Sequence, residues 1–320
     1  MTEGAPRLSV VVATDDFATI RDLVDSFAAQ TVASAIEVVV VCPSAAKLGA
    51  PAGPGPWAGF RVVEHALLPL GEARAAGVRA ASAEVVLIAE THAFPAPHWA
   101  AHLARAHEGH WVAVMPGVAN ANPASAWSWA GFLVDYGDWA LDRGPREIDN
   151  APSYHASFKR EALVAFGRRL GQLLEPGSTL ARELREQGLR SWYEPAAQIR
   201  HLNVAQPRAW VHERYLGGRL LGASRRVRWS RRRTLVYLVA SPLVPAIRLL
   251  RSRPALVSSS RAGHLPRGTT AATVLGCIAW GVGEAVGYAV GAGRATAARM
   301  LEYELHKVRY QHELDDPLGS

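Results

Sequence analysis

The sequence predicts an α/β protein, with a doubly wound, mainly parallel sheet followed by an apolar helical region. Three observations carry that prediction. Uninterrupted β-branched runs recur along the first two thirds, as in strands buried on both faces of a parallel sheet. Segments of helical spacing stand between them, the alternation expected of a doubly wound fold. From about residue 206 the composition turns to arginine and long apolar stretches.

Leu8 to Ala13 reads as a buried strand that stops in the polar loop Thr14, Asp15 and Asp16. Phe17 to Gln30 places Ile20, Leu23, Val24 and Phe27 on one helical face, behind an Asp-rich turn suited to capping. Ile36 to Val41 is a second buried strand, Arg61 to Val63 a weaker third, and Glu72 to Ala81 a helix of Ala and Arg. Glu84 to Ala89 is a further strand, and Pro43 to Gly59, rich in Pro, Gly and Ala, is a surface loop. A helix is expected within Pro95 to Glu108, with irregular chain after Trp111. There Trp127, Trp129, Tyr136 and Trp139 either wall a cleft or belong to the core. Leu180 to Gln187 is a helix closed by Gly188, and Arg190 to Tyr193 a short strand. In such a sheet ligands sit at the C-terminal strand ends.

Composition narrows the function classes. Apolar residues at 49% with 20% charge exclude extended disorder. The net charge of +7 is concentrated: fourteen Arg and one acid, Glu213, lie between Arg208 and Arg267. Base-stacking aromatics are sparse in that block, so nucleic acid is not the expected partner; anionic membrane lipid is. Cys42 and Cys277 are far apart and lack metal-type spacing, which argues against a disulfide framework or a zinc site. Met1 to Arg7 is short and polar, so no secretory signal is expected and the bulk of the chain is expected in the cytoplasm.

Two apolar runs mark the C-terminal region. Thr234 to Leu250 is interrupted by Pro242 and Pro245, whereas Thr269 to Gly293 is longer and carries one acid, Glu284. A spanning helix needs roughly 20 apolar residues, so the second run qualifies and the first is marginal. Spanning by both would put the Arg-bearing stretch from Arg251 to Arg267 outside, against the positive-inside tendency. Segments that lie in or re-enter the interface, at about 234–250 and 269–293, are therefore expected, with the alternative of a buried hairpin in a soluble protein. An acid in an apolar run is costly, so Glu284 is expected to pair with an arginine. The division expected is residues 1–205 and 206–320.

Five stretches in order resemble the inverting family 2 glycosyltransferases of the GT-A fold. Ser9 to Asp16 is similar to the family's SVVIPTYN, and Ala28 to Thr31 to its AQT. Ala73 to Ala81, followed by Glu84 to Ile88, resembles ARNAGIRAA with EYVLFL. Phe158 to Leu163 is similar to FRREAL, and Tyr193 to His201 to YEPAARVRH. The chain looks like a divergent, membrane-associated bacterial member. The resemblance implies a nucleotide-diphosphate sugar bound at the strand ends, transfer with inversion to a glycan or lipid-linked acceptor at the cytoplasmic membrane face, a divalent metal (Mn²⁺ or Mg²⁺), and a carboxylate base.

Carried over residue by residue, the resemblance implies donor contacts from Thr14, Asp15, Asp16, Arg74 and Glu90, and metal ligands Glu90, His92 and His201. Helix capping explains Asp15 and Asp16 equally well, a solvated helix charge explains Arg74, and a strand-end polar residue explains His201. Three departures stand out. The family's DxD is Glu90, Thr91, His92 here, and its DDGS is replaced at Cys42 to Ala45. Its catalytic Glu-Asp pair falls on Pro176 and Gly177, leaving neighbouring Glu175 as the candidate base. These departures also fit a second reading, a GT-A-fold binding or scaffolding protein without catalysis.

Overall fold

The structure is a computed structural model that describes residues 5–50, 55–141, 143–175 and 179–311. In chain order its strands are β1 (Leu8–Ala13), β2 (Ile36–Cys42), β3 (Gly59–Glu64), β4 (Val85–Ala89), β5 (Ala93–Pro95), β6 (Ala113–Asn120), β7 (Arg146–Ile148), β8 (Ser157–Lys159) and β9 (Ser191–His201). The helices are α1 (Phe17–Ala28), α2 (Leu70–Ala80), α3 (Trp99–Ala106), α4 (Ala126–Asp135), α5 (Arg160–Val164), α6 (Leu170–Leu173), α7 (Leu180–Glu186), α8 (Pro207–Arg228), α9 (Arg231–Ala240), α10 (Val244–Arg261), α11 (Thr269–Val290) and α12 (Arg294–Leu305). The chain divides into two compact units: 1–119 with 141–201, and 120–140 with 202–320.

The first unit is the α/β body the sequence predicts. Its described strands form one sheet in the order β3, β2, β1, β4, β8, β6, β9, β5, with β7 also paired to β9. β3, β2, β1 and β4 are parallel, and the sheet continues through antiparallel pairs of β8 with β4 and with β6, and of β5 and β7 with β9. Every residue of β1, β2 and β4 is buried, which is why these strands read as unbroken apolar runs. α2 lies so close over the sheet that a Cβ at Gly77 would collide with Val11 and Val41.

Several expectations are corrected. Among the described residues of the loop 43–59 all but one are exposed or half-buried, as expected of a surface loop, but a short 3-10 turn inserts a fully buried Leu48, whose carbonyl accepts from Phe17 N at 2.9 Å. The chain after Trp111 is regular, forming β6 and α4. The short strand at Arg190 is the start of the eleven-residue β9, whose mixed apolar and polar content hides its length. Trp129, Tyr136 and Trp139 are buried, so these aromatics are core residues of their units.

The second unit is helical. α8 and α11 pack backbone against backbone: a Cβ at Gly218 or Gly222 would strike the Trp280 or Glu284 carbonyl, and one at Gly283 or Gly287 the Tyr215 or Arg219 carbonyl. Small residues four apart on facing helices permit such an approach. Glu284 meets the expected arginine, accepting from Arg225 Nη1 at 2.6 Å and from Tyr288 OH at 2.7 Å. Arg214 donates to Asp135 at 2.7 and 2.9 Å and to Glu213 at 3.1 Å. Pro245 falls in the first turn of α10, where its missing N–H costs no helical bond. α10 runs through to Arg261, so most of the stretch expected as an Arg-bearing loop is helix. Two stretches, Arg231–Arg261 and Thr269–Val290, are long and apolar enough to cross a membrane by length and composition.

Candidate active site

The candidate site forms where β4 ends. Glu90 follows the last residue of that buried strand, at its C-terminal edge, and His92 lies two residues on. β5 then pairs antiparallel with β9 so that Ala93 faces His201, and this register brings the last residue of β9 beside His92. Their rings stand edge to face with centroids 4.8 Å apart. β8 runs antiparallel to β4, Leu87 facing Ser157, and so delivers His155, just before β8, to the same strand end. Arg74 arrives on α2.

Glu90 is the hub. Its Oε2 lies 2.6 Å from His155 Nε2, 3.3 Å from His201 Nε2 and 3.5 Å from His92 Nε2, while Oε1 lies 4.0 Å from Arg74 Nη2. All five side chains are buried. Burial alone would raise the Glu90 pKa; the charge and hydrogen bond of His155, with the hydrogen bonds of His201 and His92, outweigh it and hold the carboxyl well below the usual carboxylate range. Thr91 Oγ1 lies 3.2 Å from His92 Nδ1, a contact that orients the ring and leaves Nε2 toward Glu90.

This donor set fits a divalent metal. Ligand atoms of Glu90, His92 and His201 lie within 4.8 Å of one another, and imidazole with carboxylate is a donor set that suits first-row transition ions.

The remaining candidates have other contacts. Asp16 is the N-cap of α1, its Oδ1 accepting from Ala18 N at 2.9 Å, and its side chain is exposed, as is that of Asp15. Thr14 is buried, its hydroxyl donating to Asp16 O at 2.8 Å. Glu175 accepts from Gly71 N at 2.8 Å, at the first turn of the helix that carries Arg74; Pro176 and Gly177 lie outside the described residues. Cys42 closes β2 with no exposed surface, and burial pushes its thiol pKa up. Next to it, Glu64 at the end of β3 accepts from Ala45 N at 2.7 Å.

His155 escaped the sequence reading. Its segment, from Asn150, has no periodicity, and only the pairing of β8 with β4 shows where it goes. The available signal was a histidine three residues before the FRREAL-like stretch. A separate apolar concavity, lined by Arg7, Leu8, Val32, Ile36, Ala104 and Glu108, lies at the N-terminal ends of β1 and β2, the wrong end of the sheet for a doubly wound ligand site.

No family model matches the chain, and no curated protein matches it. Solved structures similar to it include S. aureus TarS 1-349, at 16% identity and a TM-score of 0.42, covering 68% of this chain and 65% of that one. The same TarS fragment in complex with UDP-GlcNAc has 15% identity and a TM-score of 0.43, covering 68% and 66%. In complex with UDP it has 14% identity and a TM-score of 0.45, covering 87% and 90%. In the first of these the chain spans just under two thirds of the neighbour's length.

Proposed function

We propose that this protein is a GT-A-type glycosyltransferase that moves a sugar, with inversion, from a nucleotide-diphosphate donor to a glycan or lipid-linked acceptor at the cytoplasmic face of a membrane. The observation that carries the reading is the convergence of Glu90, His92, His201 and Arg74 at the C-terminal end of a buried parallel strand. These are the positions to which the ordered resemblance assigns donor and metal binding. The acceptor hydroxyl attacks the anomeric carbon, the bond to the diphosphate breaks, and a carboxylate takes the hydroxyl proton. Arg74 would hold the diphosphate as a cation, and Glu90, His92 and His201 would hold a divalent ion that offsets charge on the leaving group.

The membrane part rests on the second unit. Leu235, Val236, Val239, Leu243 and Leu250 are exposed on α9, α10 and the turn between them, flanked by Arg231, Arg232, Arg233, Arg251 and Arg253. An apolar face with a basic rim fits the surface of an anionic bilayer.

A thermal-shift screen of the full chain in detergent against uridine, guanosine and thymidine diphosphate sugars, with and without Mn²⁺, tests the donor reading, because a ligand that binds the native state raises its stability. A metal-dependent rise with one nucleotide supports it; no rise with any donor sinks it. The second reading, a scaffold that keeps the fold without catalysis, is favoured by one observation: Glu175, the candidate base, is engaged on Gly71 N. Donor binding without transfer or hydrolysis would support that reading.

A further inference from the structure

Trp229, between α8 and α9, gathers a cluster outside the strand-end site. Arg233 Cζ stands 4.1 Å from the Trp229 ring centroid and Arg225 Cζ 5.3 Å, both within cation–π range. The Tyr237 and Tyr288 rings lie 4.7 and 6.1 Å from the indole. The two arginines differ in their partners. Arg225 pairs with Glu284 at 2.6 Å and donates to Tyr288 OH at 2.9 Å. Arg233 is exposed, and its guanidinium has ring partners, Trp229 and Tyr237, but no carboxylate partner among the described residues.

The charge around it is uncompensated. Residues 225–233 include six arginines and no acid. Arg226 donates to Ala289 O at 2.7 Å and Arg228 to Ser224 O at 3.3 Å. Arg231, Arg232 and Arg233, in the first turn of α9, are all exposed, and no carboxylate among the described residues pairs with them. Within the next two turns Leu235, Val236 and Val239 are exposed as well. Cations beside exposed apolar side chains match an anionic phospholipid, whose phosphate lies just above its acyl chains, and Trp and Tyr rings settle at that level of a bilayer. A soluble anion would meet the arginines and leave the apolar side chains in water.

We propose that Arg233, seated on Trp229, is a phosphate-binding site for an anionic phospholipid and sets how deep α9 sits in one leaflet. A guanidinium over a ring keeps N–H donors for two oxygens of one phosphate, a fork that lysine does not offer. Arg231 has no such ring among the described residues and supplies charge alone. The inference deepens the membrane part of the proposed function and rests on it.

The test dilutes the full chain from detergent into preformed phosphatidylcholine vesicles, with and without phosphatidylglycerol, and reads the bound fraction by flotation. Wild type is expected to bind the phosphatidylglycerol vesicles more tightly, and Arg233→Gln to lose about fivefold of that affinity, the effect of one arginine near an anionic surface. Arg233→Lys keeps the charge and is still expected to lose at least about threefold, while Arg231→Lys binds as wild type does. Trp229→Leu is expected to match Arg233→Lys, and Trp229→Phe, which restores a ring, to recover most of the loss. Wild-type binding in Arg233→Lys would overturn the site, as would an equal loss in Arg231→Lys, because charge alone would then account for both. Release of the bound chain by inorganic phosphate at matched ionic strength overturns the lipid assignment in favour of a soluble phosphate, and equal binding of wild type to both vesicles overturns it too. A wild-type chain that floats with neither vesicle overturns the membrane part of the proposed function itself.

Discussion

Both units bury carboxylates, but they surround them with different chemistry. In the helical unit Glu213 lies against Arg214 and Lys307, and Glu284 against Arg225 and Tyr288. Arginine does not give up its proton, so those pairs hold one charge state and one geometry. In the sheet unit Glu90 lies against three imidazoles, side chains whose ring nitrogens can serve as metal donors. Burial is the same in both places, so the partner determines whether a buried acid is a fastening or a site.

If that contrast is right, the two acids respond oppositely to the same substitution. Glu213→Gln leaves Arg214 facing Asp135 alone, and a chemical-denaturation midpoint is expected to report a loss of about 3 kcal/mol, with donor binding per folded molecule unchanged. Glu90→Gln is expected to cost less than about 2 kcal/mol in the same experiment, because the amide keeps an oxygen that can accept from the imidazoles. Under the proposed function, its sugar-transfer rate is nevertheless expected to fall about a hundredfold or more. Equal stability losses in the two variants would remove the distinction.

His107 extends the comparison to a buried base that has no acid beside it. Burial, and then the charge of Lys159, push its pKa down to about 4, while Nε2 lies 2.8 Å from Ser157 Oγ. Its folded pKa is depressed below the unfolded value, so the neutral form favours the native state. That stability is complete above about pH 6.5 and is lost as the pH falls toward 4, by about 2 kcal/mol between pH 7.5 and pH 5. Denaturation midpoints of wild type and His107→Gln should diverge at neutral pH and draw together in acid. Parallel curves would show that His107 is not the group responsible.

The smallest effect concerns an exposed acid. Asp16→Ala removes the α1 cap and is expected to cost about 1 kcal/mol, whereas Asp16→Ser should recover most of it. A loss of donor binding in Asp16→Ser, with stability intact, would assign the carboxylate to the ligand instead.

Much of this was legible in the sequence wherever the cause is local. β1, β2 and β4 are β-branched runs because both their faces are covered, and α1 shows its face in Ile20, Leu23, Val24 and Phe27. Glu90 and His92 could be named because they follow a recognisable strand. Their meeting with His201 depends on the register of β5 against β9, and His155 depends on that of β8 against β4; short strands of three residues carry too little pattern to announce either. The α8–α11 contact had a signal that was not used: Gly218 and Gly222, and Gly283 and Gly287, each stand four apart in the sequence. The most apolar 18-residue windows of the two stretches share a mean hydropathy of 1.4 but differ in burial, with 44% of the window buried in Thr269–Val290 and 6% in Arg231–Arg261. Glycine spacing, which mean hydropathy ignores, separates them.

The path of the chain bears on any attempt to obtain the sheet unit alone. Residues 120–140 leave it and join the helical unit before the chain returns at Leu141. There Asp135 receives Arg214, and the Trp127 ring packs against Trp210. A protein shortened to its first two hundred residues would keep α4 and lose everything that α4 holds, presenting a stranded aromatic helix to solvent. Separating the halves therefore takes three cuts, after residues 119, 140 and 201, and deleting the arginine-rich tail without α4 would yield an aggregating fragment.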